Sequence, residues 1–263
     1  METMKVQANG CEFYVEKRGS GPALVLVPDG VNDCGHFALI GDILSDEFTV
    51  YTFDMRGGSR SMPTEHKKLT AADLGDDVAA IIKALDIAPA SVFGCSSGGQ
   101  AVLSLGKDYP ELCKNIIAHE AALLSDTPIE GTGLNFFMNV ASYQPYCDGF
   151  LSRDVSFVGN YDQWHALGDD FLKRADENYK YWGQYYVGVN DVTTYSKEDL
   201  AIMPNLEFTV GCWTPAFQVY ANIATAERAG VPYTWVNSAH YPYVTCPDEY
   251  AELLRTICKK YLD

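Results

Sequence analysis

Apolar and polar residues alternate at the start of the chain, over Val6 to Gly10 and again over Cys11 to Lys17. The alternation breaks at Asn9-Gly10, a pair suited to a two-residue hairpin turn, so these segments predict two antiparallel strands. After this the pattern changes. Ala23 to Val27 is a short, nearly unbroken apolar run, as expected of a strand covered on both faces. Phe48 to Phe53, Ala90 to Phe93, Asn115 to Ala118, Leu206 to Val210 and Tyr233 to Val236 read the same way. Between them, helical spacing predicts helices over His36 to Leu44, Ala71 to Leu85, Gly99 to Tyr109, Ala216 to Ala229 and Asp248 to Leu262. A hairpin followed by alternating strands and helices predicts an α/β fold. Its central sheet is mostly parallel, with helices on both faces.

The alternation fails once. From about Ala121 to Ser196 no strand pattern is evident, and the stretch is rich in aromatics such as Phe136, Tyr143, Trp164, Tyr179 and Trp182. An insertion of that size after the sixth predicted strand is expected to form a helical lid on the carboxyl end of the sheet, where α/β sheets bind ligands. Residues 1–120 and 197–263 then make the core domain and 121–196 the cap.

The bulk properties narrow the function. The chain of 263 residues carries a formal charge of −16, which argues against nucleic acid and anionic membranes as partners. No apolar stretch is long enough to span a bilayer and no signal peptide is visible. Eight scattered cysteines show no C-x-x-C spacing. They fit buried free thiols in a reducing, cytoplasmic setting, with no metal and no cofactor expected.

The chemistry starts at Gly94-Cys95-Ser96-Ser97-Gly98, between a predicted strand and a predicted helix. A G-x-S-x-G there forms a nucleophile elbow, a sharp turn whose small flanking residues let it lift one serine above the sheet. Ser97 has Cys95 two positions before it, so the register selects Ser96. A serine hydroxyl needs a general base, and the base an orienting acid. Of the five histidines, His240 follows the last predicted strand and is placed to reach back over the elbow; His119 is the runner-up. The segment after the penultimate strand, Val210 to Pro215, has no carboxylate. Glu120, directly after the Asn115–Ala118 strand, is the expected acid, with Asp126 as the alternative. The order Ser, Glu, His suits this fold. Oxyanion donors are expected from the backbone N–H groups of Ser97 and of Gly30 in the loop Pro28-Asp29-Gly30-Val31. Asp54 to Ser61 reads as a structural turn.

Taken together, Val27-Pro28-Asp29-Gly30, Thr52-Phe53-Asp54-Met55, Gly94-Cys95-Ser96-Ser97-Gly98, His119-Glu120, Thr209-Val210-Gly211 and His240-Tyr241-Pro242-Tyr243-Val244 resemble the zearalenone lactonases of the α/β-hydrolase superfamily. The resemblance spans nearly the whole chain and is looser between Leu123 and Gln144 and after Trp182. It implies a triad of Ser96, Glu120 and His240, with Gly30 and Ser97 as oxyanion donors. It also implies substrate contacts from Trp182, Val155 and Asp29, and hydrolysis of a macrocyclic ester. The expected partner is a small-molecule lactone, with a homodimer as one option for assembly. Two other readings compete: a general carboxylesterase or lactonase for another aromatic macrocycle, and a ligand receptor of the same fold with a dulled triad.

Overall fold

Asn9 and Gly10 both adopt positive φ, 44° and 68°, and so close the tight turn that the sequence predicts. They join β1 (Glu2–Ala8) to β2 (Cys11–Arg18), with Ala8 opposite Cys11. A computed structural model describes residues 1–123, 159–189 and 195–262. The remaining strands in it are β3 (Ala23–Val27), β4 (Thr49–Phe53), β5 (Met62–Pro63), β6 (Ala90–Cys95), β7 (Cys113–His119), β8 (Leu206–Gly211) and β9 (Tyr233–Val236). Only the two-residue β5, a partner of β2, had no signal in the hydrophobic pattern. It makes β7 the strand that precedes the expected insertion.

The strands lie in the order β1-β2-β4-β3-β6-β7-β8-β9. β1, β2 and β4 pair antiparallel, and every pair from β4 to β9 is parallel. The buried runs explain this: β3, β4, β6 and β8 are interior along almost their whole length. The chain runs outward from β3 to β4 and then crosses to β6, so strand order reverses between β3 and β6. Ligands bind at such a switch point, beyond the carboxyl ends of the strands. Register brings those ends level. Val27 stands opposite Gly94, Cys95 opposite His119, and His119 opposite Thr209.

The helices are α1 (Ala38–Leu44), α2 (Ala71–Ala84), α3 (Ser97–Asp108), α4 (Tyr161–His165), α5 (Asp169–Tyr185), α6 (Lys197–Ala201), α7 (Ala216–Ala229), α8 (Pro242–Thr245) and α9 (Pro247–Lys259). α3 lies along β6 and β7 and packs on α2, while α1 pairs with α9. α5 buries Phe171, Ala175, Tyr179 and Trp182. Trp164 of α4 stacks on Tyr241 at 5.2 Å and meets Phe171 edge-on, joining this helical segment to the loop that carries His240. Among the described residues no helix is long and apolar enough to cross a membrane.

Candidate active site

Ser96 holds φ 54° and ψ −116°, a conformation that side chains rarely adopt, at the junction of β6 and α3. The backbone fixes it there. Its N–H donates to His119 O at 3.1 Å, and its own carbonyl accepts from Gln100 and Ala122. The flanking glycines are steric necessities. A Cβ at Gly94 would stand 2.1 Å from Gly98 O, and one at Gly98 would stand 2.3 Å from Pro28 O. The second clash joins the elbow to the loop after β3, so that loop comes close only because residue 98 has no side chain.

The Glu120 backbone also has positive φ, 41°, as the chain leaves β7. Its carboxylate is fully buried: Oε2 accepts from His240 Nδ1 at 2.5 Å, and Oε1 accepts from the Gly211 N–H at 2.6 Å. Burial opposes ionisation, but His119, the His240 hydrogen bond and the Gly211 N–H outweigh it and hold the carboxyl below its ordinary range. With the Nδ1 proton directed at Glu120, Nε2 is the acceptor nitrogen of the His240 ring. That Nε2 lies 3.8 Å from Cys95 Sγ, next to Ser96. The fold thus gathers Ser96, Glu120 and His240 from the ends of β6 and β7 and the loop after β9. His119 lies beneath them, buried, with Nδ1 on Thr209 Oγ1 at 2.8 Å. Burial pushes its pKa down to about 4.

Gly30 and Ser97 meet through Trp182. The indole N–H donates to Ser97 Oγ at 3.2 Å, and a Cβ at Gly30 would stand 2.9 Å from the same nitrogen. The Gly30 loop is braced from behind by Asp29. Its fully buried carboxylate accepts from the Val31 N–H at 2.7 Å and from Tyr243 OH at 2.5 Å. Both Asp29 oxygens are therefore engaged within the protein. Val155 and Asp126 lie outside the described residues.

Four residues at four-residue spacing carry Trp182 to this position, since such positions share one helix face. Arg174 Nε donates to buried Asp33 at 2.6 Å. Asn178 accepts from the Ser59 N–H at 2.7 Å and donates to Val31 O at 2.8 Å. Trp182 follows, and Tyr186 OH donates to Arg56 O at 2.7 Å. The stripe grips the loops after β3 and after β4, so the turn read as structural also receives α5. Sequence reasoning missed Arg174, Asn178 and Tyr243. Polar residues on a helix ordinarily signal solvent, and nothing local marks these as facing the protein.

Comparison with known proteins agrees with this architecture. Residues 23–197 match the α/β hydrolase fold family. A zearalenone hydrolase from Bionectria ochroleuca is 34% identical over 97% of this chain and 96% of its own. One from Cladophialophora bantiana is 33% identical over 97% and 95%. Among solved structures, a thermophilic esterase from Thermogutta terrifontis shares the fold with a TM-score of 0.77 at 16% identity, covering 100% of both chains. The chain is a hydrolase of the α/β hydrolase fold family and a homologue of the zearalenone hydrolases.

Proposed function

We propose that the protein is a serine hydrolase that opens the macrocyclic ester of zearalenone and related resorcylic lactones. The observation that carries the chemistry is the 2.5 Å bond between Glu120 and His240 beside the strained Ser96 turn. The substrate follows from relatives named as zearalenone hydrolases that match along almost the whole chain.

In this reading His240 Nε2 takes the Ser96 proton as Oγ attacks the lactone carbonyl. Glu120 holds the ring in the productive tautomer and stabilises the imidazolium. The Gly30 and Ser97 N–H groups receive the oxyanion, aided by the positive end of α3. Collapse breaks the ring ester, and His240 returns the proton to the departing alkoxide. The alcohol stays tethered to the acyl group. His240 then draws a proton from water, which attacks the acyl-enzyme and releases the hydroxy acid and Ser96. Trp182 of α5 faces the substrate in this reading.

The test follows zearalenone consumption chromatographically for wild type and Ser96→Ala. Ring opening by wild type that falls by about 10⁴–10⁶-fold in Ser96→Ala supports the reading. A variant that keeps a tenth of the activity removes Ser96 as nucleophile. Wild type that cleaves short aryl esters and spares the lactone supports a carboxylesterase instead.

A further inference from the structure

Along the sequence His119 has no second histidine at a metal-ligand spacing, but the fold supplies one. Cys95 ends β6, His119 ends β7, and His240 arrives from the loop after β9. One ligand atom from each lies within 4.8 Å of the others, and all three residues are buried. Cys95 Sγ is 3.8 Å from His240 Nε2, and buried His119 Nε2, which stands 3.8 Å from Glu120 Oε2, has no hydrogen-bond partner among the described residues. We propose that Cys95, His119 and His240 form a binding site for a thiophilic divalent cation such as Zn²⁺ or Cd²⁺, whose occupancy inhibits the enzyme by taking the His240 Nε2 lone pair.

The residue types are ones such a cation takes, and their ligand atoms, now within 4.8 Å of one another, draw together on binding it. Zn–S and Zn–N bonds of about 2.3 and 2.1 Å at tetrahedral angles place sulfur and nitrogen roughly 3.5 Å apart. The Cys95–His240 pair needs to close by only a few tenths of an ångström. Each imidazole is already set by a partner on its other nitrogen: Glu120 accepts from His240 Nδ1, and Thr209 Oγ1 bonds His119 Nδ1. A histidine backed by a carboxylate is a common metal-ligand arrangement as well as a general-base arrangement. On binding, the Cys95 S–H bond breaks, its proton passes to solvent, and a sulfur–metal bond forms. The two imidazoles donate lone pairs, and no atom changes oxidation state. The thiolate and the neighbouring Glu120 carboxylate balance the cation's two charges, which a buried site demands. Three protein ligands leave a fourth position for water. Binding of the cation does not depend on the proposed substrate; only the inhibition rests on His240 as base.

The experiment titrates Cd²⁺ into wild type, Cys95→Ala and Cys95→Ser, following the ultraviolet thiolate-to-cadmium absorption. In parallel, Zn²⁺ is titrated against lactone hydrolysis, with recovery on adding EDTA. We expect wild type to gain the band and lose activity reversibly. Cys95→Ala and Cys95→Ser should lack the band, and the inhibition of each is measured relative to its own rate without the cation. Each should need more than about tenfold more Zn²⁺ for half-inhibition. Equal bands and equal Zn²⁺ sensitivity in the two variants would overturn the site, as would wild type indifferent to millimolar cation. A protein that opens no lactone still reports the site through the cadmium band, so failure of the substrate reading and failure of the metal site are distinguishable.

Discussion

The indole N–H of Trp182 donates to Ser97 Oγ while its ring lies against Gly30, so one side chain from α5 touches both residues expected to offer oxyanion donors. Substrate must share that space with the indole. Trp182→Phe keeps an apolar ring and removes the donor, at a cost of about 1 kcal/mol in whichever state the N–H is bonded. The expected result is a loss of about 1 kcal/mol of stability, because the free protein already makes this bond, together with a lower kcat/KM as bound substrate loses the same donor. Steady-state kinetics beside a melting curve checks it.

Gly98→Ala should cost about 2 kcal/mol of stability, because the new methyl is forced against Pro28 O. Activity should fall further than stability does. Relief of the clash pushes the Gly30 loop away from Ser97, and oxyanion geometry is lost before the fold is. Urea unfolding of the variant, compared with its turnover at a temperature where it is fully folded, separates the two effects.

Glu120→Gln retains an oxygen to accept the Gly211 N–H but has no charge for the imidazolium, and its amide presents a donor to His240 Nδ1 in one orientation. Turnover should fall by about 10³–10⁴-fold. Substrate binding should stay within a few-fold of wild type, which equilibrium binding to the Ser96→Ala, Glu120→Gln double variant measures.

The α5 anchor predicts an acid limb. Burial pushes Asp33 upward, but hydrogen bonds from Arg174 and Ser59 and the charge of Arg60 prevail, so its carboxyl titrates below the usual range. A depressed folded pKa contributes stability that is present above the unfolded value of about 3.9 and is lost as pH falls through the folded value. Arg174→Gln moves the folded pKa back toward the unfolded one. It should remove about 2 kcal/mol at neutral pH and flatten the loss of stability below about pH 4. Urea midpoints measured from neutral pH to about pH 3 for both proteins test the sign.

The parallel strands were legible because each is a short apolar run, and the elbow because only Ser96 has glycine on both sides. Glu120 could be placed by strand order alone. The reach of the elbow to Pro28 could not, because it depends on Val27 standing opposite Gly94, a register that no local pattern encodes. Nor could the approach of Cys95 to His240, which brings together side chains 145 residues apart. Arg174 and Asn178 were hidden for a different reason. Their polarity serves loop carbonyls, amides and a buried carboxylate, and in a sequence that looks the same as polarity serving water.

The same four-residue stripe limits how this enzyme can be recombined. Its tryptophan sits in a helix whose preceding turns satisfy Asp33, the Ser59 amide and the Val31 carbonyl. A helix grafted from a relative without that polar pair would strand the Ser59 amide and the Val31 carbonyl, leave Asp33 to Ser59, Gly35 and Arg60, and set the indole at a new height. Chimaeras meant to change substrate choice should therefore be cut so that residues 29–35 and 56–61 travel with the transplanted helix.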